Sequence, residues 1–287
     1  MVRLNSSLKN QIGAKIRAYH QSLLNPPVSK ERDFVNRTVN AFKNFRPPSS
    51  GGQSLSTRSA NIDRKPIVDF MPFPRPLSPA FPFDSKKEIG DLLFVYKYFL
   101  NNKLVAHRAS IVQAKYTRGM RKSWTIDTGQ FYLMSYWPCF RVIKPKPRKF
   151  KIYDLEPRTR SWATYGFVGP NAIEYPVFFS SQRILSRYSM PKSEHFSFDL
   201  SSMPNIWVCT AGYLSKLLQD LIGENLLSNS KVRDFANDLY RIVNLLPDPP
   251  GEFEWDDQES EEGKSFGIIE FKVVQEEENK GCWKGKV

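Results

Sequence analysis

The chain has 287 residues with 42 Lys and Arg against 29 Asp and Glu, a formal charge of +13, and is 40% hydrophobic and 14% aromatic. That apolar content supports a packed core and excludes wholesale disorder, and a chain of this length buries roughly 70% of its unfolded surface. Cys139, Cys209 and Cys282 are widely spaced with no CxxC pair, which argues against a disulfide framework or a structural zinc site and favours a reducing, cytoplasmic setting. No apolar run approaches the roughly 20 residues that cross a bilayer, so a soluble protein with no membrane partner is expected.

Residues 1–30 carry five basic side chains and no acid, a composition shared with targeting peptides. The periodicity favours a folded helix instead. Leu4, Leu8, Ile12, Ile16, Tyr19 and Leu23 recur every three to four residues, and Pro26-Pro27 stops the pattern. A second helix is predicted over Ser29–Phe45, with Ser29 as its N-cap. Pro47 to Gly52 then opens a flexible linker reaching about Asn61. Six prolines from Pro66 to Pro82 leave room for a short strand at Ile67–Phe70, followed by an extended segment.

Asp91–Leu100 and Leu104–Tyr116 are β-branched and aromatic runs separated by Asn101-Asn102-Lys103, the pattern of a β-hairpin. A helix over Thr125–Trp137 follows, capped by Asp127 or Thr128. Further strands are predicted at Ser161–Val168, Glu174–Phe179 and Phe266–Val274, with amphipathic helices at Gly212–Leu227 and Lys231–Leu246. The expected division is an N-terminal helix (1–28), a core (29–180), a helical extension (181–248), and an acidic loop with a terminal strand (249–287). A hairpin feeding a helix in a mixed chain suggests an α/β or α+β fold.

The charge is unevenly distributed. Residues 1–200 hold 33 basic and 13 acidic side chains, and residues 201–287 hold 9 and 16. Eleven of the basic residues, against the single acid Asp127, lie within residues 101–150. Such a stretch attracts polyanions, and Arg118, Arg121, Lys122, Lys144, Lys146, Arg148 and Lys149 are its candidate phosphate contacts. Residue by residue, ordinary surface charge is an equal alternative. Glu252–Glu262 carries seven acids and no base. It reads as a solvated loop, or as a segment that folds over the basic groove and competes with DNA.

A three-residue hairpin loop would pair Leu100 with Leu104 and place Asp91 opposite Gln113. Side chains alternate along a strand, so Asp91, Gln113 and Lys115 would share one face at one end of the ribbon. A carboxylate, an amide oxygen and the Ala114 carbonyl can hold a hard divalent cation there, with Lys115 alongside.

The run Glu88-Ile-Gly-Asp91, followed by Ser-Ile-Val-Gln113-Ala-Lys115-Tyr and a helix, resembles the PD-(D/E)xK nuclease superfamily in its QxK variant, and in particular Mrr-type restriction endonucleases and related defence nucleases. The resemblance covers residues 85–140, or 30–180 if the second helix is the first helix of that core. It implies a restriction-endonuclease-like core: a helix, a three-stranded meander, a second helix and a further strand, making a central mixed sheet flanked by helices, with additional C-terminal helices. It also implies Mg²⁺- or Mn²⁺-dependent cleavage of DNA. Asp91 would then bind the metal, Gln113 would be the second ligand with the Ala114 carbonyl, and Lys115 would orient the attacking water. Glu31 matches the place of an additional acid, with Glu88 as its rival, and Gln130 matches a glutamine that some relatives keep near the metal. The chain departs from the pattern in having no proline before Asp91 and a neutral amide where the acid usually stands.

Cutting both strands would call for a homodimer, and a defence role for a regulatory partner. The competing classes are a nucleic-acid-binding protein without catalysis and a domain whose basic face meets an acidic protein. The three histidines lack metal-ligand spacing, and the absence of a Gly-rich phosphate loop argues against ATP-driven chemistry.

Overall fold

A computed structural model describes residues 4–70, 84–118, 123–159, 161–169, 177–188, 190–202, 208–247, 253–254 and 264–276. The proline-rich stretch beyond Phe70, Arg121, Lys122, residues 174–176 and most of the acidic loop lie outside the described residues. None of the helices described is long and apolar enough to cross a membrane.

Helix α1 (Ser6–Leu24) forms where the apolar spacing predicts it. The Asn5 side chain accepts from Leu8 N at 2.8 Å, and Leu8, Ile12, Ile16, Tyr19 and Leu23 are buried. Helix α2 (Glu31–Ala41) is shorter than expected, and Ser29 does not cap it. The Ser29 N–H instead donates to Asp33, an acid in the first turn, where the helix dipole favours negative charge.

The expected linker before Asn61 is instead strand β1 (Gln53–Ile62), whose small polar residues alternate with buried Gln53, Leu55 and Thr57. Its partner lies more than 200 residues away, so its own composition reads as a loop. Strands β2 (Ile67–Phe70) and β3 (Lys86–Glu88) lead to the hairpin of β4 (Leu92–Leu100) and β5 (Lys103–Tyr116). β6 (Ser123–Asp127) occupies the beginning of the stretch expected to be helical, and α3 (Thr128–Tyr136) starts where Asp127 accepts from Gln130 N.

Next come β7 (Phe140–Lys144), β8 (Lys146–Pro147), β9 (Ala163–Val168), β10 (Val177–Ser180), α4 (Ser181–Tyr188), β11 (His195–Asp199) and β12 (Val208–Cys209). The expected Gly212–Leu227 helix is α5 (Thr210–Leu218). It ends before Asp220, whose φ is 63°, and the chain turns into β13 (Glu224–Asn225). Then come α6 (Ser230–Ile242), β14 (Phe253–Glu254) and β15 (Phe266–Gln275).

The central mixed sheet runs β1-β15-β4-β5-β9-β10-β12, with β13 also on β5. Two pairings are parallel, β15 with β4 and β5 with β9. The meander expected from the family resemblance is therefore interrupted, because the last strand lies between β1 and β4. Gly267 permits the close approach of α2, since a Cβ there would stand 2.5 Å from Val39 Cγ2.

Alternation along β4 divides the core. Leu92, Phe94 and Tyr96 pack with α1, α2 and α5, while Leu93 and Val95 pack with α3, α4 and α6. The result is three layers, and each fully buried Leu, Ile or Phe contributes roughly 1.5–3 kcal/mol. Smaller sheets pair β2 with β3 and β7, β6 with β11, and β8 with β14.

Candidate active site

The hairpin turn has two residues rather than three. Asn101 and Asn102 both take positive φ, 48° and 62°, as a type I′ turn requires, and Leu100 pairs with Lys103. A bulge between the Tyr98 and Phe99 pairings then restores the offset, so Tyr98 faces Ala106 and Leu92 faces Val112. Asp91 thus reaches Gln113 as the sequence predicts, although the tip follows a different path. Gly90, at φ 152°, turns the chain into the strand. The Asp91 N–H donates to the Val112 carbonyl and its carbonyl accepts from Gly267 N, fixing the backbone between β5 and β15.

Asp91 and Gln113 are fully buried. Asp91 Oδ2 accepts from Gln113 Nε2 at 2.5 Å and from Ala114 N at 2.6 Å. Gln113 Nε2 also donates to the Ala114 carbonyl at 3.1 Å. The amide therefore presents its nitrogen to Asp91, where the sequence reading expects its oxygen. Two acceptors flank that position and demand a donor. The other end is held by Gln130, whose Nε2 donates to Gln113 Oε1 at 2.6 Å and to the Glu88 carbonyl at 3.3 Å. Gln130, a minor candidate in sequence, is thus the group that orients Gln113.

Two lysines complete the cluster. The Lys65 side chain, 5% exposed, places Nζ 2.5 Å from Asp91 Oδ1 and 2.8 Å from Glu88 Oε2. Lys264 reaches Glu88 Oε1 at 3.3 Å. Glu31, at the start of α2, accepts from Tyr116 N at 3.3 Å, and its charge acts on both Asp91 and Lys65. Lys115 lies close enough to Glu88 to act on its ionisation. All five predicted catalytic residues, Glu31, Glu88, Asp91, Gln113 and Lys115, are therefore brought to one end of the hairpin.

Burial pushes the Asp91 carboxyl up to about 6; Lys65 opposes the shift, and the charges of Glu31 and Glu88 add to it. Burial also acts to raise the Glu88 carboxyl, but Lys65, Lys264 and Lys115 outweigh it and hold Glu88 below its ordinary value. Lys65 stays firmly protonated, because Asp91, Glu88 and Glu31 more than offset its desolvation. No sequence pattern marks Lys65 or Lys264. Each flanks a strand as an ordinary charged residue.

The donor chemistry suits a hard cation. Asp91 Oδ1 is buried and receives no hydrogen bond of proper geometry, only the charge of Lys65. Glu88, Glu31 and the Ala114 carbonyl offer further oxygen donors at this end of the hairpin. Among the described residues no three His, Cys, Asp or Glu side chains converge on a single point, so a cation here would depend on carbonyl or amide oxygen as well.

The basic stripe is partly neutralised within the chain. Arg141 pairs with Asp69, Lys151 with Asp238, and Arg148 Nε with Glu254 Oε1 at 2.8 Å. Glu254 also stands opposite Lys146 in the β8–β14 pairing. The described end of the acidic loop thus sits on the stripe. Arg118, Lys146 and Lys149 are exposed and Lys144 is half-buried. No family model matches the chain, and searches of curated proteins and of solved structures returned no match.

Proposed function

We propose that this protein is a metal-dependent nuclease with a restriction-endonuclease-like core, hydrolysing phosphodiester bonds of DNA. The observation that carries the reading is the convergence of Asp91, Gln113 and Lys115 on one sheet face, with Glu88 and Glu31 beside them. Chain order supports it. Helix α2, strands β1, β4 and β5, helix α3 and strand β9 follow the core's sequence of elements, and β9 runs parallel to β5. The insertion of β15 beside β4 is an elaboration of that order.

Asp91, the Ala114 carbonyl and one further carboxylate, Glu88 or Glu31, would hold Mg²⁺ or Mn²⁺, with Gln113 joining them once its amide rotates. A divalent ion there supplies Lewis-acid stabilisation of the charge that develops on the phosphate. Lys115 orients the attacking water and offsets negative charge as the pentavalent phosphorus forms. Gln130 positions Gln113. Arg118, Lys146 and Lys149 contact phosphates and set the path of the strand without reading its sequence. Cutting both strands requires two such sites, hence a pair of chains. A place in prokaryotic defence rests on the family resemblance alone.

The test is cleavage of supercoiled plasmid with Mg²⁺ or Mn²⁺, beside EDTA and beside Lys115→Ala and Asp91→Ala proteins. Metal-dependent nicking lost in both variants supports the reading. A second reading, a nucleic-acid-binding protein without catalysis, is favoured by the Gln113 nitrogen facing Asp91. Intact plasmid that is nevertheless retarded in a gel would select it.

A further inference from the structure

Lys65 stands where a cation bridging Asp91 and Glu88 would stand. Its ammonium touches one oxygen of each carboxylate, at 2.5 and 2.8 Å, and among the described residues it is the only group that answers Asp91 Oδ1. A divalent ion binds carboxylate oxygen at about 2.0–2.1 Å when it is Mg²⁺, so it would occupy nearly the same point, and the ammonium and the ion exclude each other.

Among the described residues the charges around that point are balanced. Glu31, Glu88 and Asp91 are matched by Lys65, Lys115 and Lys264. Adding a divalent ion to this neutral, largely buried cluster would leave two uncompensated charges, which a low-dielectric site resists. If Lys65 withdraws as the ion enters, the cluster carries +1, and one phosphodiester then returns it to zero. The exchange reaches neutrality only with nucleic acid present. Lysine suits the exchange, because its charge sits on a flexible four-carbon stem and makes no rigid bidentate contact.

We infer that Lys65 is a built-in occupant of the cation position, exchanged for a divalent ion when a phosphodiester arrives, so that metal loading is coupled to substrate. The inference rests on the nuclease reading for its ligand, a divalent cation at Asp91 and Glu88. In the absence of DNA, Lys65→Met should bind Mn²⁺ at least tenfold more tightly than the wild-type chain, measured by electron paramagnetic resonance of free Mn²⁺. The double variant Lys65→Met, Asp91→Asn should lose that gain. A short DNA duplex should raise Mn²⁺ affinity in the wild type at least tenfold and in Lys65→Met far less.

The wild-type chain provides a second measurement that does not depend on the variant folding. Lys65 should resist acetylation in the free protein and become labelled when Mn²⁺ and DNA are added together, read by mass spectrometry. Equal or weaker Mn²⁺ binding by a folded Lys65→Met, or a Lys65 that stays protected while Mn²⁺ and DNA are bound, would overturn the exchange. Plasmid nicking separates the two ideas. Nicking by the wild type without tighter Mn²⁺ binding by Lys65→Met leaves a nuclease without the exchange. Tighter binding without nicking leaves the exchange in a protein that does not cut.

Discussion

Replacing Ile268 or Ile269 with alanine tests the position of the last strand. Both side chains are fully buried, and they point into opposite layers, Ile268 toward α3, α4 and α6 and Ile269 toward α1 and α2. Each substitution removes three carbons, about 2.4 kcal/mol at roughly 0.8 kcal/mol per buried methylene. The cavity left between β1 and β4 adds to this, for a total of about 3–4 kcal/mol, inside the roughly 2–5 kcal/mol range of Ile→Ala changes. Urea unfolding followed by tryptophan fluorescence should show this loss at both positions, with the slope unchanged. Exposed Lys272, on the same strand, should lose no more than about 0.5 kcal/mol on change to alanine. A loss below about 1 kcal/mol at either isoleucine would mean that β15 lies on the periphery, and the sheet order would be refuted.

Three further outcomes follow from the site and its surroundings. The raised Asp91 carboxyl is charged above about 6 and neutral below it, so plasmid cleavage should be full at higher pH and fall as pH drops through that value; a rate flat from pH 5 to 8 would contradict an ionised Asp91 in the chemistry. Changing Gln130 to alanine removes the donor to Gln113 Oε1, and should cost about 1–3 kcal/mol in urea unfolding and at least tenfold in cleavage, with DNA affinity unchanged in fluorescence anisotropy. In the same anisotropy assay, Lys149→Ala should lower the slope of log affinity against log salt by about 0.9, Arg141→Ala by less because Asp69 already holds it, and Glu254→Gln should raise affinity at low salt by removing a negative charge from the basic stripe.

What the sequence made legible was local. The apolar stripe of α1, the hairpin and the helix over Lys231–Leu246 announce themselves through periodicity and their stop signals. The face shared by Asp91, Gln113 and Lys115 also followed from alternation, and it survived a wrong turn length because the bulge compensates for it. Strand β1 reads as a linker because Ser-Leu-Ser-Thr-Arg-Ser acquires a strand's identity only through its pairing with β15. Lys65 and Lys264 were invisible for the same reason, since only tertiary structure brings them to Glu88. Stop signals likewise failed to mark the early end of α5 at Leu218, where the chain needs Glu224 to pair with Ala109.

The insertion of β15 between β1 and β4 has a consequence for synthesis. During translation β4, β5 and Asp91 emerge early, yet the Asp91 carbonyl awaits Gly267, Glu88 awaits Lys264, and β1 has no strand partner until residues 266–275 are made. A nascent chain therefore carries the acids of the site without the frame that aligns them. If the protein cuts DNA, that competence arrives only as β15 slots into the sheet, and a polypeptide released too soon would be harmless to the genome of the cell making it.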